Sequence, residues 1–351
     1  MASHRSSAGT RGALAIGLAA ALSMASTAWA VGETAATLSV LSAPVERIAP
    51  GSRAERAGSG MDLAEGDRVR TGPGGAALIT FLDGSTLTVL ADSDVTVKQA
   101  PTRADRNGIR VLIHVGRVWA RAVQALGRSS ITLESNEYAA AAHDGLIGAE
   151  RVGETFTCWT RRGELRLTER GGQADVVLAP GQRARARLGL ATTAEPFVPA
   201  ASIVEISTSG PVVPLLRIPE SGLAAGFTAP GAEVNQVFGA LTSGRGNTWR
   251  VEVPGGQPGA YTLVLTGTGD GPFTVKITGR YAGFAAYREE ISGTIRRDEQ
   301  VAARIVQRVS GDDPMSARVR GAQVGVLQAY NGGDDGTAVA RPEAIPVPGP
   351  N

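Results

Sequence analysis

The chain has 351 residues, of which 42% are hydrophobic, 35 are lysine or arginine and 33 are aspartate or glutamate. This length suffices for two or three domains, and the 46 glycines and 19 prolines favour a turn-rich β protein. The nearly balanced charge lacks the basic surplus typical of proteins that bind nucleic acids or anionic membranes, so we expect neither partner. The single cysteine, Cys158, excludes a disulfide within the chain.

Residues 1–30 have the pattern of a secretory signal peptide. Arg5 and Arg11 form a positively charged region, residues 13–25 form a short apolar region, and Ala28-Trp29-Ala30 supplies a small-x-small cleavage pattern. Cleavage after Ala30 predicts a periplasmic or secreted protein with no stable membrane span and with 33 residues of each charge. The alternative is an uncleaved membrane anchor, for which the apolar run is short.

Short alternating runs separated by glycine and aspartate turns fill residues 36–188, which we predict to be one β domain. The clearest runs are 76–82 and 86–90, which flank Asp83-Gly84-Ser85 and predict a hairpin. A second strand pair is expected at 109–113 and 116–123. Many short strands favour a β-barrel, sandwich or β-roll over a parallel α/β sheet. Further strands are expected at 37–41, 130–134, 138–142, 155–159, 164–167, 176–178 and 183–188, with 155–159 and 164–167 forming a hairpin.

The turn residues of this region have structural explanations. Three glycines suit turns that require a positive φ: Gly66, Gly72 and Gly84. The carboxylates of Asp67 and Asp83 can accept hydrogen bonds from turn amides. Trp119, in an alternating strand, is interpreted as a core or interface aromatic. We assign these residues to the fold rather than to ligand contact.

A series of motifs in this domain resembles the FecR-like domain family. The motifs follow one another in the family's order at 63–72 (LAEGDRVRTG), 75–79 (GAALI), 83–87 (DGSTL), 93–95 (SDV), 115–120 (VGRVWA), 161–167 (RRGELRL) and 178–182 (LAPGQ). The resemblance implies an all-β fold. The family's best-known members are transmembrane regulators that pass a signal from an outer-membrane iron-siderophore receptor to a cytoplasmic sigma factor.

The chain departs from those regulators in two ways. We expect no cytoplasmic N-terminal regulatory segment and no internal membrane span, and the family's Gly-Thr-x-Phe element is only approximated by 153–156 (GETF), with its arginine displaced to Arg151. The resemblance therefore implies an exported FecR-like module. Control of a sigma factor would require the N-terminus to stay in the membrane.

The second half of the chain predicts a separate β domain. Residues 189–212 mix alanine, threonine, serine and proline, which favours a connector. Short strands return over 213–330 at a density typical of a Greek-key β-sandwich. Residues 331–351 are rich in glycine and proline and are interpreted as a flexible tail.

Two local patterns support the sandwich. Residues 248–253 alternate, with Trp249, Val251 and Val253 on one face. Residues 260–269 are expected to pair with 273–277 through a turn at Asp270-Gly271-Pro272. This pair is similar to hairpins of pre-peptidase C-terminal and other extracellular β-sandwich modules.

Catalytic candidates are few. His143-Asp144 with Cys158 would supply a base, an orienting acid and a nucleophile, but no nucleophile elbow or second signature accompanies them. We interpret His143-Asp144 as a polar turn and Cys158 as a buried structural thiol. We expect no enzyme and assign no catalytic residue.

Cofactor and metal sites are not predicted either. The only other histidine after the signal peptide is His114, which is too few ligands for a typical zinc site. The candidate calcium ligands are the aspartates Asp270, Asp312, Asp313, Asp334 and Asp335. They follow no EF-hand or nonapeptide pattern, so we interpret them as solvated loop residues. The glycine-rich run 72–75 lacks the features of a phosphate loop. Alternating Arg183, Arg185 and Arg187 are interpreted as a solvated strand face.

The function that these observations favour is non-catalytic binding or envelope signalling through contacts with a protein partner. A structural or adhesive module that binds envelope glycan is the first alternative, and a transmembrane sigma-factor regulator is the second. A glycan-binding surface would require exposed aromatic side chains in one strip. The aromatics of the second domain that we consider are Trp249, Tyr261, Phe273, Tyr281, Phe284 and Tyr287.

Overall fold

The structure, a computed structural model, describes residues 34–101, 108–123, 130–172, 175–218, 220–255, 259–311 and 317–330. Every regular element within these ranges is a β-strand, which confirms the all-β prediction. All of them belong to one compact unit that begins at Glu33. No helix long and apolar enough to cross a membrane occurs in the described part of the chain. The predicted signal peptide (1–30) and tail (331–351) lie outside the described residues.

The first seventeen strands form one hydrogen-bonded assembly, which we call the first lobe. Its strands are β1 (Ala36–Ser42), β2 (Val45–Ile48), β3 (Glu55–Arg56), β4 (Met61–Leu63), β5 (Arg68–Thr71), β6 (Ala76–Phe81), β7 (Thr86–Val89), β8 (Asp94–Gln99), β9 (Ile109–Ala122), β10 (Ile131–Glu134), β11 (Tyr138–Ala142), β12 (Gly145–Val152), β13 (Thr155–Arg162), β14 (Leu165–Glu169), β15 (Asp175–Leu178), β16 (Gln182–Ala186) and β17 (Ala194–Pro196).

The first lobe is a two-layered β-structure whose layers share one strand. One layer has the order β4-β1-β6-β7-β9-β12-β13-β16-β17. The other has the order β3-β2-β5-β8-β9-β10-β11-β14-β15, in which only β9 and β10 run parallel. Side chains from both layers, such as Ile79 and Val118 from one and Val95 and Val111 from the other, meet in a single core.

The shared strand β9 passes from one layer to the other at Gly116. Its first half pairs with β8 and β10, and its second half pairs with β7 and β12. Gly116 has a φ of +92°, and a Cβ there would lie 2.5 Å from Cα of Ser93. The two strands expected at 109–113 and 116–123 are therefore one bent strand, because the positive φ of Gly116 bends the backbone without reversing it.

The last twelve strands form the second lobe. They are β18 (Ser202–Ser209), β19 (Val212–Ile218), β20 (Leu223–Ala229), β21 (Ala232–Asn235), β22 (Leu241–Arg245), β23 (Thr248–Pro254), β24 (Gly259–Gly267), β25 (Gly271–Tyr281), β26 (Phe284–Ile295), β27 (Gln300–Ser310), β28 (Arg318–Val324) and β29 (Gln328–Ala329).

The second lobe is an antiparallel β-sandwich, as predicted. Its five-stranded sheet has the order β22-β23-β18-β25-β26, and its seven-stranded sheet has the order β21-β20-β19-β24-β27-β28, with β29 also on β27. The sheets enclose a second core that includes Val204, Trp249 and Leu263. Trp249, Val251 and Val253 are all buried, as their alternation predicts.

The stretch predicted as a connector, 189–212, contains β17 and β18. The first pairs with β16 in the first lobe, and the second lies in the middle of the five-stranded sheet. Only residues 197–201 lie between these strands. The prolines of this stretch fall outside the alternating core of β18, where Val204 and Ile206 are fully buried.

The predicted turns have mixed outcomes. The hairpin around Asp83-Gly84-Ser85 is confirmed, because β6 pairs with β7 and the amide of Ser85 donates to Asp83 Oδ1 at 2.8 Å. Gly66 and Gly84 have positive φ, and the amide of Ala64 donates to Asp67 Oδ2 at 2.9 Å. Gly72 does not have the positive φ expected for it. A glycine is required at position 72 for steric reasons instead, because a Cβ there would lie 2.8 Å from Cγ of Pro44.

Two other predicted hairpins are corners between layers. The turn at Gly163 joins β13, which pairs with β12 and β16, to β14, which pairs with β11 and β15. Likewise β24 pairs with β19 and β27, whereas β25 pairs with β18 and β26. In both cases the turn is real, but burial of each strand against a distant partner decides the pairing.

Candidate functional site at the junction of the two lobes

Two tryptophans lie on the outer face of the first lobe, on the side of the layer away from its core. Trp119 of β9 and Trp159 of β13 are both register partners of Gly148 on the strand between them, β12. A Cβ on Gly148 would lie 2.8 Å from Cε3 of Trp119, so glycine allows the indole to lie across the strand. Both tryptophans are nevertheless buried, at 0% and 5% exposure, because the second lobe covers them.

Phe238, in the turn between β21 and β22 of the second lobe, inserts between these tryptophans. Its ring centroid lies 5.5 Å from that of Trp119 and 5.1 Å from that of Trp159, both edge-to-face. Phe197 completes the group at 6.0 Å from Phe238, and the guanidinium carbon of Arg117 lies 4.7 Å from the Phe238 centroid. We call Trp119, Trp159, Phe197 and Phe238 the aromatic junction. Edge-to-face pairs add about 0.5–1.5 kcal/mol each beyond area burial.

A charged network lies beside the aromatic junction and is centred on Glu233 of β21. Arg162 of the first lobe donates to both carboxylate oxygens at 3.0 Å, and Arg121 donates to Oε2 at 3.1 Å. The hydroxyl of Thr242 also donates to Glu233. Such a bidentate arginine pair is both strong and geometrically specific. The carboxylate of the second lobe is therefore held by two cations of the first.

Asn235 joins the network to the aromatic junction. Trp119 Nε1 donates to Asn235 Oδ1 at 2.9 Å, and Asn235 Nδ2 donates to Thr242 Oγ1 at 3.1 Å. We call Glu233, Arg121, Arg162, Asn235 and Thr242 the Glu233 network. It satisfies the indole N–H that the second lobe has removed from water, which would otherwise be costly.

The contact between the lobes lowers the pKa values of two charged residues, Glu233 and Arg161. Burial acts to raise the pKa of Glu233, but hydrogen bonds from Arg162 and Thr242 and the nearby arginine charges outweigh it, so its pKa lies below the usual range. Burial lowers the pKa of Arg161, which donates to Glu252 of the second lobe at 3.1 Å. A surface cavity of about 390 Å³ opens beside the network, and its lining includes Arg162 and Glu233, which already bind each other.

The catalytic candidates do not assemble into a site. Cys158 of β13 is fully buried among the strands, and burial raises the pKa of its thiol to about 12. His143 lies exposed at the turn after β11, whereas Cys158 is buried. His114 exchanges a hydrogen bond with Thr96 Oγ1 at 2.8 Å, and burial lowers its pKa. A nucleophilic cysteine must be a thiolate. The raised pKa keeps the thiol of Cys158 protonated at neutral pH, so Cys158 has the properties of a core residue.

The other polar candidates have structural contacts. Asp270 accepts a hydrogen bond from the amide of Arg297 at 2.8 Å. Arg183 and Arg187 donate to Glu195 and Glu154 at 2.8 and 3.3 Å, and Arg185 is exposed. No group of three or more potential metal ligands occurs among the residues that the structure describes. Asp312, Asp313, Asp334 and Asp335 lie outside those residues.

The aromatics considered for a glycan surface do not form one exposed strip. Trp249, Tyr261 and Phe273 are buried, with exposures of 5%, 2% and 4%. Tyr287 is half-buried and accepts a hydrogen bond from Gln307 Nε2 at 2.9 Å. Phe284 is 80% exposed. Three of the six rings are thus unavailable to a polymer chain.

The sequence pointed to one member of the junction and missed the others. The alternation around Trp119 predicts a core or interface aromatic, and Trp119 is an interface aromatic. Phe238 and Glu233 belong to the run 232–240 (AEVNQVFGA), which has no pattern that distinguishes an interface from a core. The only available signal was a carboxylate in a short strand with no basic residue near it in sequence.

No protein-family model and no curated protein matches the sequence. Two solved structures resemble part of the chain, both crystal structures of a "putative anti-sigma factor" from Parabacteroides distasonis ATCC 8503. They share 12% and 11% sequence identity with it, and each has a TM-score of 0.32. Each match covers 37% of this chain and 59% of the other, so the chain spans less than two thirds of that protein's length.

Proposed function

We propose that this chain is an exported, non-catalytic binding protein of the cell envelope that signals through contacts with a protein partner. In this proposal the first lobe is a FecR-like module, as its motifs between residues 63 and 182 suggest. The second lobe is a β-sandwich fixed to that module. The protein acts in the periplasm or outside the cell after its signal peptide is removed behind Ala30.

One observation carries the proposal, namely the way that the two lobes meet. Phe238 fills the space between Trp119 and Trp159, and Glu233 is held by Arg121 and Arg162. These contacts are mostly buried and specific in direction, whereas loosely tethered domains have smaller and more polar contacts. A partner that binds one lobe therefore acts on both, which is a property useful for signalling.

The burial of the candidate catalytic and glycan-binding side chains supports this proposal over its alternatives. The most reactive candidate, Cys158, is buried with a raised thiol pKa. Burial of Trp249, Tyr261 and Phe273 leaves the glycan-binding alternative without half of its candidate aromatics. A transmembrane sigma-factor regulator stays an alternative only if residues 1–30 remain in the membrane.

Genetic complementation in the native host tests the proposal. We would delete the coding sequence and restore it as the wild-type chain, as a form lacking residues 1–30, or as Phe238→Ala. Transcripts would be profiled in each strain, and the N-terminus of the wild-type protein would be sequenced after cell fractionation.

We expect the deletion to change a discrete set of transcripts and the wild-type chain to restore them. The form without residues 1–30 should fail because it is not exported, and Phe238→Ala should fail because its lobes are uncoupled. The exported protein should begin at Val31. An unchanged transcript profile on deletion, or full restoration by the form without residues 1–30, would refute an envelope signalling role. An intact N-terminus in the inner membrane would favour the transmembrane regulator.

A further inference from the structure

The two sides of the second lobe have different surroundings. On one side, β21 supplies Glu233 and Asn235 to the junction, and β22 supplies Thr242. The other side of the sandwich is bounded by β26 in the five-stranded sheet and by β28 in the seven-stranded sheet. One side therefore meets the first lobe, and the side with β26 faces away from it.

The strand β26 is an unusually long sheet edge. It has 12 residues, and it pairs with β25 from Gly271↔Ile295 to Tyr281↔Phe284. No strand of the described residues pairs with its other side. The other strands that end a layer or sheet are much shorter, with 2 to 7 residues: β3, β4, β15, β17, β21, β22 and β28. Long unprotected edges are sites where another strand can pair.

The sequence of β26 is self-complementary around Glu289. If two copies of β26 pair antiparallel with a two-fold axis at Glu289, Arg288 of each copy lies opposite Glu290 of the other. Tyr287 of each copy then lies opposite Ile291. Opposite charges and aromatic–β-branched pairs are favourable cross-strand neighbours. Arg288 and Glu290 are exposed and accessible to a second copy, whereas Tyr287 and Ile291 are half-buried because they also pack against the core of the second lobe.

Neighbouring registers are less favourable. An axis at Arg288 places that arginine opposite itself and Tyr287 opposite Glu289. An axis at Glu290 places that glutamate opposite itself. A shift by one residue would place core-facing side chains opposite solvent-facing ones, because side chains alternate along a strand. The axis at Glu289 therefore satisfies the most side chains, at the cost of one like-charge contact on the axis itself.

We propose that β26 is a homodimerisation edge, at which a second copy of this chain extends the five-stranded sheet across a two-fold axis at Glu289. The partner is thus an identical strand whose Arg288 and Glu290 match those of the first. Glu290 already has Lys276 at 3.8 Å on its own sheet, so the second arginine completes an exposed charge cluster. This proposal does not depend on the proposed function.

Charge reversal tests the edge. Sedimentation of the purified full chain would be measured from about 1 µM to about 500 µM, a range in which small interfaces associate. The variants are Arg288→Glu, Glu290→Arg, the double swap, and Glu289→Gln. Arg185→Glu, an exposed charge reversal in the first lobe, is the matched control. Circular dichroism and melting temperature would establish that each variant is folded.

We expect a reversible dimer in the wild type and the control. Each single reversal acts at two symmetric contacts and should weaken the dimer about tenfold or more. The double swap should restore it, and Glu289→Gln should tighten it by removing the repulsion on the axis. A monomer at every concentration would overturn the proposal. A dimer that is insensitive to the single reversals, or not restored by the double swap, would place the contact elsewhere and overturn it as well.

Discussion

A single carboxylate shows how the junction is held together. Glu233 is 11% exposed in its side chain and receives hydrogen bonds from Arg121, Arg162 and Thr242. Taking the carboxylate out of water is costly, and the two arginines offset that cost. The Glu233 ion pairs therefore contribute mainly to the specific orientation of the two lobes and less to the net free energy of folding.

The Glu233→Gln variant should lower the free energy of unfolding by about 1–3 kcal/mol at neutral pH, because it removes the charge that the arginines neutralise. Since the pKa of Glu233 is lowered in the folded protein, its contribution is fully present above the unfolded pKa of about 4.3. That contribution disappears as the pH falls through the lower folded pKa. Urea unfolding of both proteins from neutral to acidic pH measures the difference.

Glu154→Gln is the matched control for this experiment. Glu154 and Arg187 form an exposed pair at 3.3 Å, so its loss should leave stability nearly unchanged. A difference between wild type and Glu233→Gln that stays constant down to strongly acidic pH would show that the charge of Glu233 does not stabilise the fold.

The role of a residue can be predicted from the sequence when its hydrogen-bond partners are close to it along the chain. The carboxylates of Asp67 and Asp83 accept turn amides as expected, because those contacts lie within three residues along the chain. Glu233 could not be predicted in this way. Its partner Arg162 is 71 residues away, and only the packing of two lobes brings them together.

At the scale of elements, β9 organises the first lobe. Among the strands of the described residues it alone belongs to both layers, and it carries Trp119 to the junction. Its bend at Gly116 is fixed by hydrogen bonds with Ser93, whose Oγ accepts from the amide of Arg117 at 2.9 Å and donates to its carbonyl at 3.1 Å. A change at Gly116 should therefore disturb both layers.

We expect Gly116→Ala to destabilise the protein by about 2–4 kcal/mol, since it combines a positive φ with a clash against the Ser93 backbone. Gly153→Ala is the control, because Gly153 also has a positive φ but a Cβ there would meet nothing within 4 Å. Thermal and urea unfolding would be measured for both. If the two variants lose the same stability, the bend of β9 does not require the close approach to Ser93.

The elements also show where local patterns stop being informative. Alternation and turn residues located β6, β7 and β23 correctly. The same signals at Gly163 and at Asp270-Gly271-Pro272 predicted hairpins where the chain instead crosses between layers. A turn residue fixes the direction of a few backbone bonds, whereas strand pairing depends on which side chains are buried by distant strands.

At the scale of the molecule, two cores are joined into one unit. The sequence predicted two β regions and an all-β fold, because strand composition and turn frequency are properties of each region alone. It did not predict that the regions are locked together, since the aromatic junction draws Trp119, Trp159, Phe197 and Phe238 from separate parts of the chain. Export behind Ala30 stays a prediction.

The Phe238→Ala variant tests this coupling. It removes the ring that both tryptophans contact, and because Phe238 is half-buried we expect a loss of about 2–3 kcal/mol. The greater effect should be on cooperativity, since the lobes would then be joined mainly by the Glu233 network. Phe284→Ala, which removes a ring that is 80% exposed, is the matched control.

The most direct test of the account is hydrogen exchange measured by mass spectrometry across a urea titration, with β6 and β7 reporting on the first lobe and β24 and β27 on the second. We predict one shared midpoint for the two lobes in the wild type and in Phe284→Ala, and two separate midpoints in Phe238→Ala. Separate midpoints in the wild type, or a shared midpoint that survives Phe238→Ala, would contradict the claim that the aromatic junction makes the two lobes one unit.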